Sequence, residues 1–336
     1  MRLLRRLFLL LVGLLVAVAF AAAGGIAWWI HTPLGMKTPV VEVSIEPGTP
    51  PRDIALAWTQ AGVEAPALAL YEWFRWSGEA RRIRAGSYVA PRGTTPLQLL
   101  QKMVQGDETQ EHVRLIEGWT FRQWRAELAK AKSLKQTTAV MSEAEIMAVL
   151  GADGQSPEGR FFPDTYAYSK GVSDLTVLRR AYRAMQRRLA QSWEDRAPDT
   201  PLKSMDEALV LASIVEKETG ASVDRGMVAG VFCNRLRLGM PLQTDPAVIY
   251  GLGERFDGNL RKKDLLADGP YNTYTRAGLP PTPIAMPGMA SLRAAAKPEP
   301  TKALYFVARG DGSSHFSENL AEHNRAVDKY QRGAAK

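Results

Sequence analysis

The sequence predicts an α+β fold preceded by a single membrane-spanning helix. The N-terminal run from Leu7 to Ile30 contains no charged residue. At about 1.5 Å per residue, a helix of this length crosses a hydrocarbon core of about 30 Å. Further along the chain, short stretches that alternate like strands are interspersed with stretches of helical apolar spacing. With 336 residues, the chain has room for two domains beyond the anchor.

The residues that flank this run predict its orientation. Arg2, Arg5 and Arg6 precede it, and Trp28 and Trp29 end it. Positive residues remain on the cytoplasmic side of a membrane, and indole rings favour its interface with water. We therefore expect a cytoplasmic N-terminus, with the rest of the chain on the opposite side of the membrane.

A cleaved signal peptide is the alternative, because Ala21–Ala23 resembles a cleavage site. The apolar run is longer than the roughly 7–15 residues usual for such a peptide, which favours an anchor. The predicted organisation is a tail at 1–6, the anchor at 7–30 and a linker at 31–40.

The composition is that of a folded globular protein and argues against several function classes. Hydrophobic residues make up 46% of the chain, charged residues 23%, and the net charge is +8. A basic protein suits an anionic surface or polymer, but no zinc-finger or RNA-binding signature supports nucleic acid as the partner. Cys233 is the only cysteine, so no internal disulfide can form, and we expect it to be buried and inert. The four histidines are scattered, and the sequence predicts neither a metal site nor a cofactor.

Residues 41–106 are predicted to form a small α+β unit, with a boundary near 107. Strands are identified by alternating apolar residues and helices by apolar residues three or four apart. The expected elements are strands at 41–45 and 86–90 and helices at 53–61, 66–76 and 95–104.

Residues 107–336 are predicted to form a second, larger α+β domain. Its expected elements are a strand at 113–116, a helix ending at 131, an aromatic loop at 159–166, and helices at 173–193, from Ser204, and at 225–238. Residues 132–158 carry little signal.

The helix that begins at Ser204 places one glutamate on an apolar face. Ser204 and Glu207 match the capping-box pattern. Because successive helical residues turn by about 100°, Glu218 shares the apolar stripe, whereas Glu216 lies nearly opposite. Three apolar residues lie within roughly 60° of Glu218: Leu211, Ile214 and Val215. Burial and the negative end of the helix dipole both raise the pKa of a carboxyl there, as a proton donor at neutral pH requires. A core glutamate paired with an arginine or the backbone is the structural alternative.

Loops that follow this helix combine polar side chains, aromatic rings and prolines. They lie at 242–251, 270–274 and 278–284. Rings can stack on sugar faces while amides and carboxylates bind hydroxyls, so the combination suits a carbohydrate site. Ordinary turn chemistry would explain any one of these loops alone.

Several strings in the sequence resemble the YceG-like family of endolytic murein transglycosylases. The resemblance covers most of residues 41–330, in order, and is carried by these strings: Glu117–Thr120, Phe162–Thr165, Ala212–Thr219, Val231–Leu236, Leu242–Pro246, Tyr271–Tyr274, Gly278–Pro281, Leu304–Val307 and His323–Asn324.

The resemblance implies a LysM-like domain at 41–106, a catalytic domain at 107–336 and a location in the bacterial inner membrane. The essential glutamate of the family falls on Glu218, the residue that the helix-face argument selects. The implied partners are peptidoglycan strands and, near the sites of wall synthesis, penicillin-binding proteins.

The implied reaction cleaves the β-1,4 bond between N-acetylmuramic acid and N-acetylglucosamine and leaves a 1,6-anhydro end, which would end strand elongation. Candidates for substrate binding are Glu216, Asn234, Gln243, Asp245, Asn272 and Tyr274. Pairing of Glu216 with Arg235 is an equally open structural interpretation.

Two other functions also remain open. A hydrolytic muramidase would need a second carboxylate, for which Asp245 is the best candidate, and a non-enzymatic scaffold would bind peptidoglycan without cleaving it.

Overall fold

The computed structural model describes residues 2–46, 48–107, 110–219 and 222–333, and it confirms an α+β fold. The described chain forms two compact units. The first contains residues up to Glu111 together with Ala167–Val172, and the second contains His112–Tyr166 and the rest of the chain from Ser173. The sequence predicted domains at 41–106 and 107–336, and it gave no sign that residues 167–172 return to the first unit.

The first unit begins with one long apolar helix. Helix α1 (Arg2–Ile30) contains a stretch, Leu9–Ile30, of 22 residues with a mean hydropathy of 2.6, and none of it is buried within the protein. This helix is long and apolar enough to cross a membrane.

A small α+β arrangement follows the helix. Strands β1 (Val40–Ile45) and β2 (Gly86–Pro91) are antiparallel, with Val40 opposite Pro91 and Ile45 opposite Gly86. The other elements are α2 (Pro51–Ala61), α3 (Ala67–Trp76) and α4 (Pro96–Gln105). The core between sheet and helices is built on large side chains such as Trp58, Phe74 and Tyr88. A likeness of this unit to LysM domains stays a prediction.

The segment 31–40, expected as a linker, packs into the first unit. Leu34 and Met36 are buried in the core of that unit. Leu34 donates its backbone N–H to Thr94 (2.9 Å), and Gly35 accepts a backbone hydrogen bond from Glu64 (2.8 Å). The chain is therefore held by the core within a few residues of the end of α1.

The second unit is mostly helical. Strands β3 (Gln110–Leu115) and β4 (Asp164–Ser169) pair with each other, and each crosses a boundary between the units. Strands β5 (Tyr305–Ala308) and β6 (Ser314–Ser317) form an antiparallel hairpin. The helices are α5 (Phe121–Lys130), α6 (Glu143–Val149), α7 (Asp174–Glu194), α8 (Met205–Glu218), α9 (Arg225–Arg237), α10 (Asp245–Leu252), α11 (Lys262–Leu266), α12 (Met289–Ala296) and α13 (Leu320–Val327).

Helix α8 lies at the centre of this unit and contacts α7, α9, α10 and α12. Ser204 caps it as predicted, accepting the backbone N–H of Glu207 at 3.2 Å. The reciprocal bond of a capping box is replaced, because the Glu207 carboxylate accepts the N–H of Lys203 instead (2.6 Å). Every residue from 208 to 215 is buried. The amphipathic pattern predicted that only one face of α8 is buried. In the structure, neighbouring helices cover α8 on all sides.

Candidate active site

Glu218 is the last residue of α8 and lines a cleft of about 420 Å³. Carbonyl groups at a helix C-terminus place partial negative charge there. Residues from five other segments of the second unit complete the lining: Arg235, Leu242, Gln243, Asp245, Tyr274, Tyr305, Phe306, Leu320, His323 and Asn324.

The environment of Glu218 favours its protonated form. Burial is the main cause of its raised pKa, and the negative charge of Asp245 raises it further. The Thr244 hydroxyl and the Arg235 guanidinium oppose this rise. Thr244 is fully buried, and its hydroxyl is directed at the Glu218 carboxyl. The raised pKa agrees with the prediction from the helix face.

A strained turn carries the polar groups opposite Glu218. Gln243 has a φ of 52°, a left-handed conformation that is rare for residues other than glycine. Two hydrogen bonds to Thr273 hold the turn, one from the N–H of Gln243 (3.0 Å) and one from the N–H of Thr244 to the Thr273 hydroxyl (3.0 Å). Such strain costs on the order of 1–3 kcal/mol and tends to occur at functional sites.

Asp245 and Tyr274 form a pair within the cleft. Asp245 is the first residue of α10, and its carboxylate accepts a hydrogen bond from the Tyr274 hydroxyl at 2.5 Å. Burial and this bond raise the pKa of Tyr274, so the phenol keeps its proton. The pair places one negative charge beside Glu218.

Arg235 brings a buried positive charge to the same cleft. Its Nε donates to the carbonyl of Leu304 (2.7 Å), and its Nη1 donates to the carbonyl of Leu242 (2.9 Å). The guanidinium lies 5.1 Å from the ring centre of Tyr305, and that ring stacks on His323 at 5.2 Å. Burial lowers the pKa of His323, which favours the neutral imidazole.

Three of the six predicted substrate-binding residues, Gln243, Asp245 and Tyr274, line the cleft with Glu218. The amides of two others bind backbone instead. Asn234 donates to the carbonyls of Thr301 (2.8 Å) and Ala303 (3.0 Å). Asn272 donates to the carbonyl of Ala267 (2.7 Å) and accepts the N–H of Tyr274 (2.9 Å). Both amides hold loops in place, and a role for them in substrate binding stays a prediction.

The sixth residue, Glu216, lies outside the cleft lining, in a polar pocket of its own. Its carboxylate accepts hydrogen bonds from the N–H of Gly288 (2.9 Å) and from the Ser291 hydroxyl (2.7 Å). Its ion pair is with Arg225, at 3.6 Å. The suggested pairing with Arg235 is therefore wrong, because Arg235 extends from α9 into the cleft of Glu218.

Several residues that line the cleft were not selected by any argument from the sequence, among them Arg235, Tyr305 and His323. The signal for Tyr305 and His323 was the family resemblance of two strings, Leu304–Val307 and His323–Asn324. Their spacing in the sequence did not connect them with Glu218.

Cys233 is buried as predicted, and burial raises the pKa of its thiol to about 11. Among the described residues, no group of histidine, cysteine and acidic side chains is arranged to hold a metal ion.

A second buried glutamate of this unit, Glu158, lies outside the cleft and is only 5% exposed. Its carboxyl accepts the N–H of Phe121 (3.0 Å) and the hydroxyl of Tyr250 on α10 (3.2 Å). Burial raises its pKa to about 7. Glu158 thus connects the start of α5 with the helix that carries Asp245.

We expect Glu158→Gln to flatten the dependence of stability on pH. Between the ordinary pKa of 4.5 and about 7, the folded protein keeps this proton while the unfolded chain has released it. The free energy of unfolding therefore falls as the pH rises through this window, by about 3 kcal/mol from this group. Urea unfolding across the window should show a smaller fall for Glu158→Gln than for the wild type. The control is Glu254→Gln, at an exposed glutamate, and an unchanged slope in Glu158→Gln would contradict the expectation.

Known proteins resemble this chain in sequence and in fold. The model of the YceG-like family matches residues 43–329. An endolytic murein transglycosylase of Bacillus subtilis is 31% identical over 86% of this chain and 84% of its own length. A protein of the same description from Streptococcus pneumoniae is 26% identical over 95% of this chain, which spans 64% of that longer relative. The crystal structure of a putative YceG-like protein from Listeria monocytogenes superposes with a TM-score of 0.54 at 30% identity, covering 85% of this chain and 98% of that one.

Proposed function

The chain belongs to the YceG-like family, and from this premise we propose that it is a membrane-anchored endolytic murein transglycosylase. Such an enzyme is a lyase that cuts peptidoglycan strands internally. The observation that carries the proposal is Glu218, a partly buried carboxyl with a raised pKa at the wall of an open cleft.

In the proposed mechanism Glu218 acts first as an acid and then as a base. The neutral carboxyl protonates the glycosidic oxygen between N-acetylmuramic acid and N-acetylglucosamine as the bond from C1 to that oxygen breaks. The resulting carboxylate then removes the proton from the C6 hydroxyl of the muramic acid, and the C6 oxygen bonds to C1. The products are a 1,6-anhydromuramic end and a free 4-hydroxyl, and no water is consumed. Attack within one sugar gains from proximity, which reduces the need for a second catalytic residue.

The charges around Glu218 suit both steps. The negative charge of Asp245 favours the neutral acid before the first step, and the positive charge of Arg235 stabilises the carboxylate between the steps. Tyr305 and Phe306 present rings to the cleft, on which a sugar face can pack. His323 Nδ1 is buried without a hydrogen-bond partner in the described structure, and we propose that it binds a sugar hydroxyl.

Hydrolysis is the second candidate reaction, because a second carboxylate lines the same cleft. In that mechanism Asp245 would activate water or attack C1 while Glu218 serves as the acid. The bond from Tyr274 occupies one oxygen of Asp245, which favours a supporting role for this carboxylate.

The anchor completes the proposal. We propose that α1 spans the bacterial inner membrane once with the N-terminus in the cytoplasm, which places the cleft on the outer side among newly made strands. Cleavage there would end strand elongation, and penicillin-binding proteins are the proposed neighbours.

The mass of the products tests the reaction. The full chain in detergent is incubated with purified peptidoglycan, and the released fragments are weighed. Anhydro ends, without added water, are the expected result. Reducing ends that are heavier by one water would support the muramidase, and binding without any product would support the scaffold.

A further inference from the structure

Tryptophan side chains line a large apolar groove in the first unit. The groove measures about 1040 Å³ and lies between the last turns of α1, from Ala22 to Ile30, and one face of α3. Its lining includes Trp29 on α1 and both Trp73 and Trp76 on α3. Eleven of its twelve lining residues are uncharged and mostly apolar or aromatic, so the groove is suited to an apolar partner.

The groove has a fixed position relative to the end of the anchor. Trp29 packs against the core of the first unit, and Leu34, a few residues later, is buried in it. The backbone between them is tied by hydrogen bonds from Thr32 to Trp29 (3.0 Å) and from Leu34 to Thr94 (2.9 Å). The chain therefore has little slack between α1 and the unit that carries α3.

This junction sets the depth of α3 in a membrane that α1 spans. The apolar stretch of α1 ends at Ile30. Ala22 lies about 12 Å below that end along the helix axis. The groove between Ala22 and Ile30 therefore lies at the level of the outer acyl chains and the headgroup boundary.

The side chains of α3 suit that depth. Trp76 is 79% exposed and Leu68, at the start of the same helix, is 69% exposed, which is costly in water but favourable at a membrane interface. The Trp73 indole donates its N–H to the carbonyl of Pro96 (3.1 Å) and the Trp76 indole donates to Glu72 (3.0 Å), so neither donor is left unpaired.

Glu72 is the single acidic side chain of the lining. Arg75 pairs with it at 3.3 Å. The groove therefore carries no uncompensated charge that would oppose contact with lipid.

We propose that phospholipid acyl chains of the outer leaflet fill this groove, so that α3 holds the first unit against the membrane in addition to α1. The inference rests on the proposed anchor. The groove is continuous with the membrane-spanning stretch of α1, and this continuity favours lipid as its occupant. A second copy of the chain is the alternative that the test must exclude.

Spin labels that report depth in the bilayer test this proposal. The full chain with Cys233→Ala is reconstituted in vesicles of phosphatidylethanolamine and phosphatidylglycerol. A label is placed in the groove by Ala69→Cys, and a matched label in the same unit by Leu56→Cys on α2, whose side chain is exposed outside the groove. We expect the ratio of oxygen collisions to collisions with a water-soluble nickel chelate to be several-fold higher at Ala69 than at Leu56.

A third label, Ala23→Cys in α1, separates this inference from the anchor itself. If the label at 23 reports the bilayer while those at 69 and 56 give equal ratios, the inference is overturned and the anchor stands. If the label at 23 also reports water, both proposals fail. Spin–spin coupling between labels at 69 on different molecules would show that a second copy fills the groove, and would overturn the assignment to lipid.

Discussion

Replacing Glu218 with glutamine is expected to abolish the formation of 1,6-anhydromuramic ends while leaving the protein folded. Glutamine has the shape of the neutral glutamic acid but has no proton to transfer to the leaving oxygen and cannot serve as a base afterwards. General acid–base catalysis contributes roughly 10²–10⁴-fold to a rate, so we expect a loss of at least that size. Since burial disfavours the charged carboxylate, glutamine should not lower the free energy of unfolding at neutral pH.

The measurement is the rate of anhydro-product release per folded molecule, with substrate binding followed separately. Binding of peptidoglycan by the Glu218→Gln variant should persist, because the rest of the cleft is unchanged. A variant that released anhydro products at the wild-type rate would exclude Glu218 as the acid. A variant that neither bound nor folded would contradict the isosteric argument.

Replacing Glu216 with alanine should have the opposite effect, with a large loss of stability and little direct loss of chemistry. The Glu216 carboxylate is buried, and it binds Gly288, Ser291 and Arg225. Removing it leaves the Arg225 charge, itself mostly buried, without its acidic partner. Breaking such a pair costs about 3 kcal/mol or more, which we expect in the free energy of unfolding.

Urea unfolding at neutral pH measures this loss, and anhydro-product release below the melting temperature measures the chemistry. Ser291→Ala is the matched control, because it removes one hydrogen bond to the same carboxylate and should cost about 1 kcal/mol. If Glu216→Ala kept its stability but lost its product, Glu216 would belong to the reaction rather than to the fold.

The two glutamates also illustrate what the sequence could predict. Helical spacing selected Glu218 because its neighbours at 211, 214 and 215 are apolar, and this local pattern needs no knowledge of the fold. The same spacing predicted that Glu216 lies on the less apolar face. The structure buries Glu216 as well, because α12 covers that side of α8 with Ser291 and the nearby N–H of Gly288. Such a contact joins residues far apart in sequence, and no periodicity within α8 reveals it.

The loops of the cleft show the same limit. Gln243, Asp245, Asn272 and Tyr274 were selected by residue type and loop position, and Asn234 was selected by residue type on the predicted helix at 225–238. Only the fold distinguishes side chains that face the cleft from amides whose hydrogen bonds are already used by backbone groups. Arg235 was noted on its helix, but its place beside Glu218 depends on the return of the chain at Leu304, whose carbonyl binds the guanidinium.

The order in which residues are synthesised gives the segment 167–172 a particular importance. Ser87, a buried hydroxyl of the first unit, donates to the carbonyl of Lys170 (2.9 Å), and the Lys170 ammonium pairs with Glu42 (3.0 Å). Residues 112–166 of the second unit are made before that segment leaves the ribosome. The apolar stretch of α1 is therefore made early, but the first unit cannot complete its hydrogen bonds until the segment 167–172 has been synthesised. We expect the first unit to complete its folding only after residues 112–166 have been made, because a chain interrupted before this segment leaves the Ser87 hydroxyl without its acceptor in Lys170.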